Sequence, residues 1–178
     1  RVAEENVLGE VGGGFRHVQE RLGPARLTHC MRFSGMAERA LTIARTYLSE
    51  REAFGSAIAE KQNARFEIAR RETEIQAARS LVRHTAEKIA EGEEARLGVS
   101  MSKVYTAQAA QDAIDTALQS LGGNGISKDL PIADFYESVR PFRIIDGADE
   151  VHLRTIARTA FEEGVDPAEL DPVTRFGE

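Results

Sequence analysis

Three stretches of the chain repeat apolar residues in helical register. Leu27, Met31, Ala37, Leu41, Ala44 and Leu48 form the first set; Ile68, Ile75, Ala78, Val82 and Ile89 form the second; Val104, Ala107, Ile114, Ala117 and Leu121 form the third. Spacings dominated by three, four and seven return to one face of a 3.6-residue turn, so each set predicts an amphipathic helix with one buried stripe. Prolines stand at 24, 131, 141, 167 and 172, leaving 25–130 free of them. So long a stretch without a breaker, rich in Ala, Arg, Glu and Leu, has a helical composition. Glycines punctuate it. Phe54-Gly55-Ser56 is expected to end the first helix, Glu91-Gly92 with Leu97-Gly98 the second, and Leu121-Gly122-Gly123-Asn124-Gly125 the third. Val139-Arg140-Pro141 closes a short segment, and 149–163 reads as a last helix.

The fold class expected is therefore all-α, an antiparallel up-and-down four-helix bundle with a short non-helical N-terminal lead. Residues 1–16, where Val7 to Val11 precede three glycines, read as the end of a β domain or a linker. The bundle is assigned to 17–163 and a polar, proline-containing tail to 164–178.

Composition narrows the function classes. The 178 residues are 42% hydrophobic and 29% charged, which suits a folded chain with a conventional core. A net charge of −6 argues against nucleic acid or an anionic membrane surface as the main partner. No run of apolar residues is long enough to span a membrane. The single cysteine, Cys30, can form no internal disulfide and no thiolate zinc cluster, so a reducing compartment is expected, the cytoplasm or, in a eukaryote, the mitochondrial matrix. The chain opens on Arg1 rather than Met and reads as a fragment, a processed product or a trimmed chain.

Familiar chemical motifs are missing. There is no Gly-x-Gly-x-x-Gly after a strand, no phosphate-binding Gly-x-x-x-x-Gly-Lys and no serine nucleophile elbow. None of the four histidines follows a glutamate by three positions, so the di-iron sites of helical bundles are not expected and no metal ligand is assigned.

Three clusters remain. Arg51-Glu-Ala-Phe54-Gly55, followed by Gln62, sets a planar cation at a helix end beside a turn, where it could grip a phosphate bidentately. Gln119-Ser-Leu-Gly122-Gly123-Asn124-Gly125 offers bare backbone that a ligand can approach closely. Ile144-Ile145-Asp146-Gly147 delivers a carboxylate between apolar residues and a glycine, an arrangement that suits a general base or acid. Taken alone, each reads first as an ordinary helix stop, C-cap or Asp-Gly turn. His152 reads as a surface or interface residue.

Taken in order, the clusters carry a resemblance. From about Val7 to Arg158 the chain resembles the C-terminal part of the flavin-dependent acyl-CoA dehydrogenases. That family carries Arg-x-x-Phe-Gly with a Gln eleven residues after the arginine, as at Arg51, Phe54, Gly55 and Gln62. It then carries Gln-x-x-Gly-Gly-x-Gly and a proline soon after, as at Gln119, Gly122, Gly123, Gly125 and Pro131. An apolar-acid-Gly loop follows and opens the last helix, as at Asp146-Gly147. The resemblance implies the final portion, roughly 40 to 45%, of an enzyme with two preceding domains. It implies FAD as cofactor, an acyl-CoA as substrate, an electron-transfer flavoprotein as acceptor and a homodimer or homotetramer that shares the flavin between subunits.

Residue by residue, it implies Asp146 as the base that removes the Cα proton, with Gly147 letting the loop approach the thioester. Arg51, Phe54, Gln62, Gln119, Gly122 and Gly123 would serve the adenosine end of FAD, and Arg26 would lie near the thioester and the catalytic loop. The usual base is glutamate; Asp146-Gly147-Ala148-Asp149-Glu150-Val151-His152 resembles a subset with aspartate there. Ala148 replaces a threonine whose hydroxyl contacts flavin in many members. A nitroalkane-oxidase-like flavoenzyme, which also uses Asp, and a non-catalytic helical oligomerisation module are the alternative readings.

Overall fold

The computed structural model describes residues 1–162; the expected tail and the last residue assigned to the bundle lie outside the described residues. Four helices carry the fold, α1 (Gly14–Glu50), α2 (Gln62–Ala90), α3 (Arg96–Leu121) and α6 (Asp149–Glu162), with short α4 (Gly123–Ile126) and α5 (Ile132–Val139) between the last two. Consecutive long helices run antiparallel. Thr85 near the end of α2 faces Ser102 near the start of α3, while Arg71 near the start of α2 reaches Thr116 near the end of α3. Because α3 packs against α1, α2, α5 and α6, it forms the axis of the bundle. No helix among the described residues is long and apolar enough to cross a membrane.

The periodic sets form the core. Leu27, Ala37, Leu41, Ala44 and Leu48 of α1 meet Ile68, Ile75 and Val82 of α2 and Ala107, Ile114, Ala117 and Leu121 of α3, all buried. Small residues dominate α3 (Ala107, Ala109, Ala110, Ala113 and Ala117), so its neighbours approach closely. Met31, counted in the first stripe, is 65% exposed instead.

Three boundaries differ from the sequence reading. Residues 7–11 are non-helical, as expected of the lead, but α1 already begins at Gly14, inside it. Pro24, expected as punctuation, lies within α1. A proline there forfeits a helical hydrogen bond, but it sits on an exposed turn, and the buried stripe that follows carries the helix through. Gly98 lies in the first turn of α3 rather than in a loop, at a close helix contact: a Cβ there would lie 2.9 Å from Thr85 Oγ1.

The turn after α1 is also more ordered than a helix stop. Glu52–Ala53 and Ser56–Ala57 pair as a two-residue antiparallel hairpin, and both corner residues, Phe54 (φ 53°) and Gly55 (φ 83°), are left-handed. Two such residues in sequence are what a tight type I′ hairpin requires.

Candidate active site

Residues 144–148 join the turn at Arg140–Arg143 to α6 and carry the expected carboxylate. Asp146 adopts φ 56° and Gly147 φ 98°, so the chain reverses sharply there. For Asp146 this is an uncommon conformation, of the kind that persists only where surrounding contacts hold it. Its carbonyl accepts hydrogen bonds from Arg26 Nε of α1 at 2.7 Å and from His152 Nε2 of α6 at 3.3 Å. Glycine is required at 147 for two reasons, since a Cβ would demand a strained left-handed residue and lie 2.9 Å from His152 Nε2. The Asp146 side chain turns the other way. Its Oδ2 lies 2.7 Å from Nδ1 of His29, off the line of an ideal hydrogen bond, and neither atom has another partner among the described residues.

The structure thus brings together Arg26, Asp146 and Gly147, and adds two histidines. His152 is only 4% exposed, which corrects its reading as a surface residue. The turn at 146–147 folds the loop back over it, and Ser100 Oγ lies 3.2 Å from its Nδ1. A carbonyl can only accept, so the neutral ring carries its hydrogen on Nε2 toward Asp146, and Nδ1 accepts from Ser100. Burial first, then the nearby cations Arg26 and Lys103, hold His152 below the usual histidine range despite its bond to the Asp146 carbonyl.

This has a consequence for stability. In the unfolded chain the ring takes up a proton as the pH falls below about 6.5, while in the fold it stays neutral to lower pH. Stability at His152 is therefore present above that value and is lost as the pH falls toward the depressed folded one. Urea unfolding of this chain at pH 7 and pH 5 should show a stability loss that is smaller in His152→Gln. An equal loss in both proteins would refute a neutral buried ring.

Beneath the loop lies a second buried group. Lys103 of α3, fully buried, places Nζ 2.8 Å from Asp149 Oδ1, and Arg143 Nε donates to Oδ2 of the same carboxylate at 2.8 Å. Phe142 separates this ion cluster from His29. Lys103 Nζ lies 5.3 Å from the centre of its ring, and the ring also packs on Phe33 (4.7 Å) and His29 (5.9 Å). Sequence reading named neither Lys103 nor His29. The available signal for His29 was its place three residues after Arg26, on the same helix face.

The remaining expected residues gather at the opposite end of the bundle, where α1 ends, α2 begins and α3 ends. Arg51 is fixed by its backbone, its N–H donating to Tyr47 O and its carbonyl accepting from Ile58 N, both at 2.8 Å, while its exposed side chain has no partner among the described residues. Phe54 is 94% exposed on the strained hairpin corner, and Lys61 Nζ donates to its carbonyl at 3.2 Å. Gln62 and Gln119 are exposed at the adjoining helix ends. At Gly122 and Gly123 a Cβ would meet nothing within 4 Å, so their backbone faces open space. An unpaired cation, a displayed aromatic ring and open backbone thus share this end of the bundle.

A family model described as "Acyl-CoA dehydrogenase, C-terminal domain" matches residues 12–161. Among curated proteins, the chain is 46% identical over 160 residues to "Probable acyl-CoA dehydrogenase FadE2" of Mycobacterium tuberculosis, covering 89% of this chain and 39% of that protein. It is 41% identical over 160 residues to acyl-CoA dehydrogenase family member 10 of Mus musculus, covering 89% of this chain and 15% of that one. The crystal structure of an acyl-CoA dehydrogenase from Geobacillus kaustophilus superposes with a TM-score of 0.84 at 31% identity, covering 89% of this chain and 42% of the other. The chain therefore spans less than half the length of each of these relatives.

Proposed function

Because this chain belongs to the acyl-CoA dehydrogenase family, as a C-terminal domain of it, we propose that it is the base-bearing and FAD-contacting part of an enzyme that desaturates an acyl-CoA thioester. The observation that carries this reading is the Asp146 loop, whose carboxylate is presented on a strained turn fixed by α1 and α6.

In the reaction proposed, Asp146 takes the proton from Cα of the acyl group. The Cα–H pair becomes the new double bond as hydride leaves Cβ. When bound, the flavin supplies the acceptor for that hydride. Arg26 and His152 hold the Asp146 carbonyl, which sets where the carboxylate can reach. Gly147 permits the left-handed turn over His152 from which the carboxylate is presented. The buried rings of Phe33 and Phe142 pack against His29, which faces the enclosed Oδ2 of the carboxylate.

The opposite end of the bundle fits the adenosine part of FAD. Arg51 offers a guanidinium for the pyrophosphate, Phe54 an apolar face, and Gly122 and Gly123 open backbone, with Gln62 and Gln119 beside them. Along α1, Arg51 lies 22 residues beyond His29, about 33 Å of helix. One dinucleotide does not span that distance, so a flavin whose ring serves Asp146 of one subunit would meet Arg51 of another. We propose a homodimer or homotetramer on this ground and on the family resemblance, with an electron-transfer flavoprotein as acceptor.

Arg51→Ala tests the cofactor end. Loss of charge-assisted bonds worth about 1.5–3 kcal/mol should weaken FAD binding about 10- to 100-fold in the full-length protein. Flavin retained after gel filtration reads this directly, and equal retention by the variant would remove Arg51 from the site.

A further inference from the structure

We propose that His29 is a positioning residue for the base: its imidazole holds one oxygen of the Asp146 carboxylate, leaving the other alone to meet the Cα proton. The inference rests on Asp146 being the base, as proposed above. Its ground is an asymmetry between the two carboxylate oxygens. Oδ2 is enclosed and faces His29 Nδ1 at 2.7 Å, whereas Oδ1 is not enclosed and accepts no hydrogen bond from the described residues. Two lone pairs at that separation repel, so opposite an ionised Asp146 the hydrogen of a neutral His29 sits on Nδ1. His152, against the carbonyl of the same residue, carries its hydrogen on the other nitrogen. The two histidines therefore hold opposite tautomers around one aspartate.

The His29 ring is well placed for this. It stands edge-on to Phe33 (69° between planes) and to Phe142 (77°), both almost fully buried. Arg26 and His29, one helical turn apart on α1, grip the main chain and the side chain of Asp146 in turn. A carboxylate can otherwise rotate and exchange its oxygens. Fixing Oδ2 removes that freedom, so Oδ1 stays within the narrow range in which a base takes a proton. The contact now lies off the ideal N–H direction, as catalytic hydrogen bonds do before substrate closes on them.

Rapid-mixing measurement of flavin reduction in the full-length enzyme, with saturating acyl-CoA, tests the role. His29→Leu should lower the reduction rate constant about 10- to 100-fold, the cost of a misplacement near 1 Å, while the half-saturating acyl-CoA concentration is unchanged. His29→Asn, whose side-chain amide restores a donor near the position of Nδ1, should recover most of that loss. Ring-nitrogen NMR of this chain should show the Nδ1–H tautomer at His29, with its signature altered in Asp146→Ala.

Wild-type rates in His29→Leu, equal slowing of both His29 variants, or an Nε2–H tautomer at His29 would each overturn the proposal. If Asp146→Asn itself reduces flavin normally, the base assignment falls and takes the role of His29 with it. If Asp146→Asn is inactive and His29→Leu is fast, only the role of His29 is lost.

Discussion

Asp146→Asn in the full-length enzyme is expected to slow flavin reduction by acyl-CoA about 1,000-fold, within the range that a positioned general base contributes. The amide keeps the size of the side chain and can still face His29, and the backbone grip of Arg26 and His152 on residue 146 is untouched. Structure should therefore survive while proton acceptance is lost. Bound FAD should also remain, because the residues assigned to its adenosine end lie at the far end of the bundle. Asp146→Glu sharpens the test. Its extra methylene, about 1.5 Å, moves the carboxylate out of the seat opposite His29, so a smaller but measurable loss is expected than for asparagine. Flavin reduction at the wild-type rate in the asparagine variant would remove Asp146 from the chemistry and leave the chain as a structural and cofactor-binding domain.

The largest effect on stability is expected from Lys103→Met. Methionine fills much the same space but removes one of the two cations on a carboxylate that is only 6% exposed. Breaking a buried pair from one side costs about 3–5 kcal/mol, and the survival of Arg143 places the loss near 3 kcal/mol. At about 2–4 °C per kcal/mol for a chain of this size, the melting temperature should fall by about 6–12 °C. Removing the stranded charge as well, in Lys103→Met with Asp149→Leu, should restore more than half of the loss, because Arg143 is partly exposed and can turn to water. A melting temperature unchanged in the single variant would show that the buried pair contributes nothing to the fold. Asp149 opens α6, and the 146–147 turn lies just before it, so the single variant should also loosen the loop that carries the base.

The helices were legible because burial imposes a period on the sequence. Ala37, Leu41, Ala44 and Leu48 recur as one face, and that face is the core. Turns were less legible, because glycine has several uses that composition does not separate. Gly55 marks a hairpin corner, whereas Gly98 marks a close approach to Thr85 inside a helix. The site was legible only in part. Asp146-Gly147 announces a turn within a few residues, and Arg51 with Phe54 does the same. His29 and Asp146 are 117 positions apart, Lys103 and Asp149 are 46 apart, and no local spacing links either pair. Lys103 also stands on an otherwise small and uncharged face of α3, where a lysine more often lays its stem along the surface and sends its charge to water.

The uninterrupted course of α1 between His29 and Arg51 makes the length of this segment harder to change than its composition. Inserting one residue there would turn Arg51 about 100° around the axis and push it about 1.5 Å outward. Inserting seven would return it to nearly the same face but about 10.5 Å away. Side chains on the outer face of this span can be exchanged freely by a protein engineer, whereas an insertion or deletion of any size would move one half of the proposed cofactor site relative to the other.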